Sequence, residues 1–395
     1  MIYLDNSATT PMYPEVVRIV QESFEKDYAN SGAVYQLGLE SKNRIDTATG
    51  ELRELLNVPN THRMIFTSGG SESNNLFIKG MLASGKHPAS LGLEHPSIRE
   101  SLQALKSENV EPLTLLAHQE EGRLNPQSLS NMQDTRLLCL SHVNHELGAV
   151  NDPAKIGPRL KTISPRTRLF YDGVQAPGKI PLSSPEWKYI SGYSLSAHKF
   201  GGPKGIGLLI YNATLDLKTQ IHGGGQQYGV RSGTLPVPLI VGLAKALQLT
   251  FLNWGETKNR LIELRRLLID GLKNLEAENS DLKIKFNSSE SEDIEQQTPA
   301  IVNFSFPPVQ GEIMLHHLEE KEIYVGLGSA CSAKSKEPSK ILTGIGRTKT
   351  EALCSLRISF GPQNTKEDVE QFVEAFGLAY KKLFPSYTSK KNERS

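Results

Sequence analysis

The chain is poor in cysteine and tryptophan, with 3 and 2 in 395 residues, and neither charge is in excess: 44 Lys+Arg stand against 43 Asp+Glu, a formal net charge of +1. Cys139, Cys331 and Cys354 are odd in number and show no C-x-x-C spacing, which argues against a disulfide framework and against a zinc site. A reducing, cytoplasmic setting is the simplest expectation. Balanced charge gives no case for direct nucleic-acid binding, which needs Lys and Arg in clear excess on at least one face. Long hydrophobic runs are also missing. The most apolar window, Leu235–Leu252, is broken by Pro236, Pro238 and Lys245, and the N-terminal MIYLDNSATT has neither a cationic nor an apolar leader region. No membrane span and no signal peptide are expected. There is no G-x-G-x-x-G string, and the two Gly-Lys pairs are followed by His87 and Ile180 rather than Ser or Thr, so nucleotide binding loses its support. His142, His145 and Glu146 fit neither H-E-x-x-H nor H-x-x-E-H, and no metal is expected.

What is present is the composition of a globular protein, 38% hydrophobic and 22% charged, long enough for two or more domains. Between about Pro14 and Leu252, short apolar runs alternate with amphipathic stretches. Arg63–Thr67, Arg136–Ser141, Arg168–Asp172 and Gly205–Tyr211 read as buried strands, which predicts an α/β unit with a largely parallel sheet. Asn259–Glu276 repeats leucine and isoleucine at helical spacing and reads as a connecting helix. Beyond the polar stretch Asn287–Gln297 come strand-like AIVNFSF, helix-like GEIMLHHLEE, strand-like IYVGLG and SLRISF, and an amphipathic helix near Glu367–Leu383. This is the pattern of a smaller α+β unit. The final PSYTSKKNERS reads as a solvated tail.

Three strings carry chemistry. In Ser194-Leu-Ser-Ala-His198-Lys199-Phe-Gly-Gly-Pro-Lys204-Gly, one lysine stands among small residues just before a glycine-rich turn and a buried strand, where it could form a Schiff base. Asp172 ends the strand RLFYD, with Gln175 three residues on; a carboxylate at the carboxyl end of a parallel strand can keep a pyridinium nitrogen protonated. Thr67-Ser-Gly-Gly70-Ser71-Glu72-Ser73-Asn74 follows a strand and opens a helix, so its amides and hydroxyls would converge on an anion. Each alone reads equally as a strand end, a helix cap or a surface lysine. Phosphate cup, Asp and Lys in that order describe a pyridoxal-phosphate site.

The sequence resembles the cysteine desulfurases of the class V aminotransferase family from Tyr3 to about Phe372. The strings that carry this are YLDNSATT at 3–10, FTSGGSESNN at 66–75, EHPSI at 94–98, VNHELG at 143–148, DGVQAPGKIPL at 172–182, SAHKFGGPKGIG at 196–207, GGGQQYGVRSGTLPVP at 223–238 and GLGSACSAKSKEPSKIL at 326–342. The resemblance implies an enzyme of the pyridoxal-phosphate-dependent transferase fold type I. A large domain with a mixed, mainly parallel sheet would span 13–253, a smaller α+β domain 1–12 and 254–385, and a tail 386–395. It implies that Lys199 holds pyridoxal 5′-phosphate covalently, that Asp172 pairs with the pyridine nitrogen, and that Gln175 approaches the phenolic oxygen. His95 would stack on the ring and shuttle protons. Gly70, Ser71, Ser196 and His198 would bind the phosphate, with Thr234 reaching it from the neighbouring subunit of a homodimer. Arg357 would grip the carboxylate of L-cysteine. Cys331, in a segment of small and cationic residues that predicts an exposed loop, matches the nucleophile that takes the sulfur as a persulfide and releases alanine. Cys139 and Cys354 sit in apolar surroundings and read as buried and inert. The sulfur would pass to an acceptor protein, in iron–sulfur cluster assembly or transfer-RNA thiolation.

The chain departs from the family pattern at several positions. His145 replaces the second asparagine of Asn-Asn-Glu, which is expected near the phenolic oxygen; a neutral histidine could still donate there. Gln226-Gln227 stands for Gln-Glu, Asn30 to Tyr35 for Asn-Pro-Ser-Ser-x-His, and Gly361-Pro362 for Gly-Arg. A selenocysteine lyase or another enzyme of the same fold, and a catalytically silent scaffold paralogue, are the competing readings. The departures at His145, Gln227 and Tyr35 are the only support for the last.

Overall fold

Long stretches such as TRLLCLS at 135–141 and GYSLS at 192–196 are buried along almost every residue, so alternate side chains find cover on both faces. Such strands need helices on both sides, which is the arrangement of a parallel sheet. A computed structural model of the chain describes residues 1–81, 87–105, 114–132, 134–182, 186–327 and 337–387. Its strands are β1 (Ile2–Leu4), β2 (His62–Thr67), β3 (His87–Leu91), β4 (Thr114–Leu116), β5 (Thr135–Ser141), β6 (Arg168–Asp172), β7 (Gly192–Ser196), β8 (Gly207–Asn212), β9 (Lys285–Phe286), β10 (Ile301–Ser305), β11 (Ile323–Leu327) and β12 (Ser355–Ser359).

The larger sheet has seven strands in the order β2-β8-β7-β6-β5-β3-β4. Only β8 runs against its neighbours, so the other six end on the same edge. The expected strands at 63–67, 136–141, 168–172 and 205–211 are β2, β5, β6 and β8, within two residues at each end. The sequence did not signal β7, because Gly192, Ser194 and Ser196 interrupt its apolar run. Ser194 is tolerated at full burial because its hydroxyl donates to Asn74 Oδ1 at 2.6 Å.

The second sheet has five strands in the order β1-β11-β12-β10-β9. β1 pairs in parallel with β11 (Ile2 opposite Ile323), which ties the N-terminus to the last third of the chain. The helix expected at 259–276 runs from Trp254 to Glu278 and leads towards this sheet. The last long helix, Lys366–Leu383, starts at a capping box between Thr365 and Asp368. Its inner face packs Phe372, Phe376 and Tyr380 with Phe304 and Phe306; the Phe376 and Phe306 ring centroids are 5.0 Å apart, edge to face. The tail expectation is corrected at its start. Ser386 and Tyr387 continue in a helical turn, and Tyr387 packs against the core with its hydroxyl accepting from the Gln310 N–H, because the apolar stripe of the helix extends to it. Residues 388–395 lie outside the described residues.

Among the described residues no single helix is long and apolar enough to cross a membrane. Replacing Phe376 with Ala removes the ring around which this aromatic cluster is built. Chemical denaturation should show a loss of about 3–5 kcal/mol of stability.

Candidate active site

The shared edge of six parallel-running strands gathers their following loops, the usual place for a site in an α/β sheet. Thr67, Ser141, Asp172 and Ser196 end β2, β5, β6 and β7, and Glu94 and His95 follow β3 after Gly92 and Leu93. Beyond this edge lies a cavity of about 320 Å³ lined by Gly70, Ser71, His95, His145, Asp172, Gln175, Ser196, His198, Lys199 and Arg357, all expected there from the sequence. Thr234 is not among its walls. It is exposed on the loop between Arg231 and the helix Val237–Leu252. Cys331, with Lys334 and Lys336 beside it, lies outside the described residues.

Asp172 is 7% exposed, and its carboxylate is held by two neutral donors: Asn74 Nδ2 at 2.8 Å and the Val174 N–H at 3.0 Å. Asn74 Nδ2 also donates to Ser97 Oγ, and Ser97 Oγ lies 2.8 Å from His95 Nδ1. The Ser97 N–H donates to the same ring nitrogen, so a neutral His95 carries its proton on Nε2, facing away from the helix it caps. His95 is therefore both a cap and a cavity wall. Burial holds its pKa below the usual histidine value, with Lys199 and Arg99 pushing the same way against the pull of Asp172.

Lys199 sits on a short turn after β7, its Nζ donating to the carbonyls of Ser7 at 2.7 Å and Ala8 at 2.8 Å. Gln175 Nε2 donates to the same Ser7 carbonyl. Burial, then the charges of Lys199, Lys204 and Lys179, push His198 down to about 4. Arg357 comes from the middle of β12 in the other sheet. It is 2% exposed, and its guanidinium donates to Asp5 Oδ1 at 2.6 Å and to the His145 carbonyl at 3.0 Å. Burial drives the His145 ring well below the usual histidine range, and it meets His95 edge-on with centroids 5.0 Å apart.

The departures sort themselves by position. His145 is in the cavity wall. Gln227 instead clasps the edge strand β2, its Oε1 accepting from the Phe66 N–H at 2.6 Å and its Nε2 donating to the Phe66 carbonyl at 2.9 Å. A glutamate could accept there but not donate. Tyr35 is exposed at the start of the helix Gln36–Leu55. Cys139 and Cys354 are buried, and burial raises both thiols, Cys354 to about 11.

Sequence reasoning missed Asn74, Ser97, Glu94 and Glu146 as members of this network. Asn74 had a signal, since it lies four residues after Gly70 on one helix face. Glu94 is 2% exposed and accepts from the Ser141 N–H and hydroxyl; burial, reinforced by Asp172, raises its pKa to about 8. Glu146 accepts from Ser339 Oγ at 2.6 Å, and burial lifts it to about 7. Among the described residues no cluster of three or more His, Cys, Asp or Glu is arranged to hold a metal ion.

A model of the aminotransferase class-V family matches residues 2–372. The chain belongs to this family. It is 34% identical to the cysteine desulfurase IscS of Vibrio vulnificus, covering 97% of this chain and 93% of that protein. It is also 34% identical to the cysteine desulfurase IscS of Methanosarcina thermophila, over 97% and 92%. Among solved structures it resembles a NifS-like protein with a TM-score of 0.86 at 27% identity, over 95% of this chain and 98% of that one. A structure of SspA in complex with cysteine matches with a TM-score of 0.73 at 27% identity, over 92% and 100%. The class V strings quoted above therefore fall on the cavity walls, on the loop carrying Thr234 and on the segment carrying Cys331.

The raised Glu94 carboxyl gives a signed prediction for stability. Between pH 4.5 and about 8 the folded chain holds a proton that the unfolded chain has lost, so this group's contribution to stability falls as pH rises through that window. Glu94→Gln keeps the acceptor for Ser141 and cannot ionise. Its melting temperature relative to the parent should rise from the acid to the alkaline end of the window, as read by calorimetry.

Proposed function

We propose that the chain is a cysteine desulfurase that uses pyridoxal 5′-phosphate to remove the sulfur of L-cysteine, releasing L-alanine and leaving a persulfide on Cys331. The observation that carries this is the convergence of Lys199, Asp172, His95 and Arg357 on one cavity at the carboxyl edge of the sheet. The names of the relatives, and cysteine bound to SspA, support the substrate.

The residues present fit the cofactor. Gln175 Oε1, His145 Nδ1, Arg357 Nε and Ser7 Oγ are buried at this cavity and have no hydrogen-bond partner among the described residues, which fits walls completed by a polar ligand. A Cβ on Gly70 would come within 2.5 Å of Val174 Cγ2, so glycine is what lets the helix Gly70–Met81 start this close to the cavity. Its N-terminal amides, with Ser71, Ser196 and His198, would hold the phosphate. Lys199 would hold the cofactor covalently, and Asp172 would keep the pyridine nitrogen protonated. When bound, the cofactor withdraws the electron pair released at the substrate Cα, which loosens the neighbouring C–S bond.

The chain's own groups do the rest. Arg357, anchored by Asp5, has Nε available for the substrate carboxylate and sets its orientation. Lys199 takes and returns the Cα proton, and His95 presents its Nε2–H to the reacting groups. The Cys331 thiolate forms an S–S bond to the substrate sulfur as the C–S bond breaks. A free thiol has a pKa of about 8.5, and Lys334 and Lys336 favour its ionised form. Large apolar side chains exposed at Phe24, Tyr28 and Val34 support a homodimer in which Thr234 serves the neighbouring site. The division into 13–253 and 1–12 with 254–385 follows the two sheets. The acceptor of the sulfur is a protein, an iron–sulfur scaffold or a transfer-RNA thiolation enzyme.

Alanine and sulfide release from L-cysteine, with a thiol reductant, tests the reading. Activity in the parent and none in Lys199→Ala or Cys331→Ala is expected; equal turnover in all three overturns it. Arg357→Lys, which loses planar two-point contact, should lower kcat/KM for cysteine by about 10–100-fold, from the usual worth of a charged hydrogen bond. Turnover of selenocysteine alone would favour the lyase.

A further inference from the structure

The segment that carries Asp172 and Gln175 ends in a second lysine for which the reaction above has no use. Lys179 is 4% exposed, and its Nζ donates to the backbone carbonyl of Lys199 at 2.9 Å, a carbonyl that also accepts from Thr10 Oγ1. Buried lysines are ordinarily paired with a carboxylate. Among the described residues no carboxylate pairs with Lys179, and its bond to the Lys199 carbonyl is to a neutral group. The charged groups that face it are Lys199 and Arg357, both cations; Tyr13, Thr250 and Phe360 close the crevice around it. Burial, then these two like charges, push its ammonium down to about 7.

We propose that Lys179 is a positioning residue for Lys199: it fixes the backbone of the cofactor-bearing residue and, through its charge, makes the Lys199 amine less basic. The two amines sit in one water-poor crevice and share their first deprotonation, which therefore occurs at lower pH than for either alone. A neutral Lys199 amine would add to the aldehyde of pyridoxal phosphate: a C=N bond would replace the C=O bond, and the two amine protons would leave with the carbonyl oxygen as water. This rests on the assignment of Lys199 made above.

The test is the rate of covalent capture of pyridoxal phosphate by the cofactor-free protein as a function of pH, with borohydride trapping and peptide mapping to locate the adduct. Lys179→Gln keeps a donor for the Lys199 carbonyl without the charge, and Lys179→Met removes both. Both should move the midpoint of the rate profile up by about half a pH unit or more, the effect of deleting one nearby like charge. Only Lys179→Met should also lose retention of the cofactor on gel filtration. An unmoved midpoint in Lys179→Gln, with its fold confirmed by circular dichroism, overturns the proposal alone. Failure of the parent to capture the cofactor at Lys199 overturns the assignment of Lys199 and this proposal with it.

Discussion

A carboxylate at the buried end of a strand must be held by donors, and in this chain one amide does most of that holding. Asn74 donates to Asp172 and to Ser97 through one nitrogen and accepts from Ser194 through its oxygen. It thereby joins the helix Gly70–Met81, the ends of β6 and β7 and the cap of the helix that begins after His95. Each partner is buried or part-buried, and each would lose a hydrogen bond without it. The start of the helix, and with it Gly70 and Ser71, is placed by the same bonds that place Asp172 and orient the His95 ring. One side chain thus ties the cup proposed for the phosphate to the carboxylate proposed for the ring nitrogen.

Around this frame the charges are arranged by burial more than by pairing. Arg357 has a close carboxylate, Asp5, and this pair spans from the short segment after β1 to the centre of the second sheet. The other acids near the cavity, Glu94 and Glu146, are shifted towards their neutral forms, and the histidines His95, His145 and His198 towards theirs. Against this background Asp172 and Arg357 act at short range in a poorly screened space. These two carboxyl groups also serve as hydrogen-bond acceptors, Glu94 for Ser141 and Glu146 for Ser339, the residue that caps the helix Lys340–Gly344.

The departures from the family pattern gain meaning only from their places. At Gln227 an amide replaces an acid where a strand edge offers one donor and one acceptor, and an amide matches both. At Tyr35 the change is on the surface. At His145 it is in the cavity, where a ring whose Nδ1 has no partner among the described residues stands edge-on to His95. These observations weigh against a silent scaffold, since only one of its three supports touches the site.

The amino-acid sequence by itself determined the strands with continuous apolar runs, β2, β5, β6 and β8, and the long amphipathic helices, because periodic burial is written in residue type. It also marked Lys199, Asp172, Gln175 and Arg357, which the fold brings to one cavity. It did not show β7, whose serines become acceptable in the core only once Asn74 is beside them. Nor did it show that Glu94, Glu146 and Lys179 are buried. An acid or a lysine reads as a surface residue until the fold removes its water. Only the tertiary structure decided which of these groups lie within hydrogen-bonding reach and which are buried without a counter-charge, because contact between residues 74 and 172, 146 and 339, or 179 and 199 is made by folding and has no period in the chain.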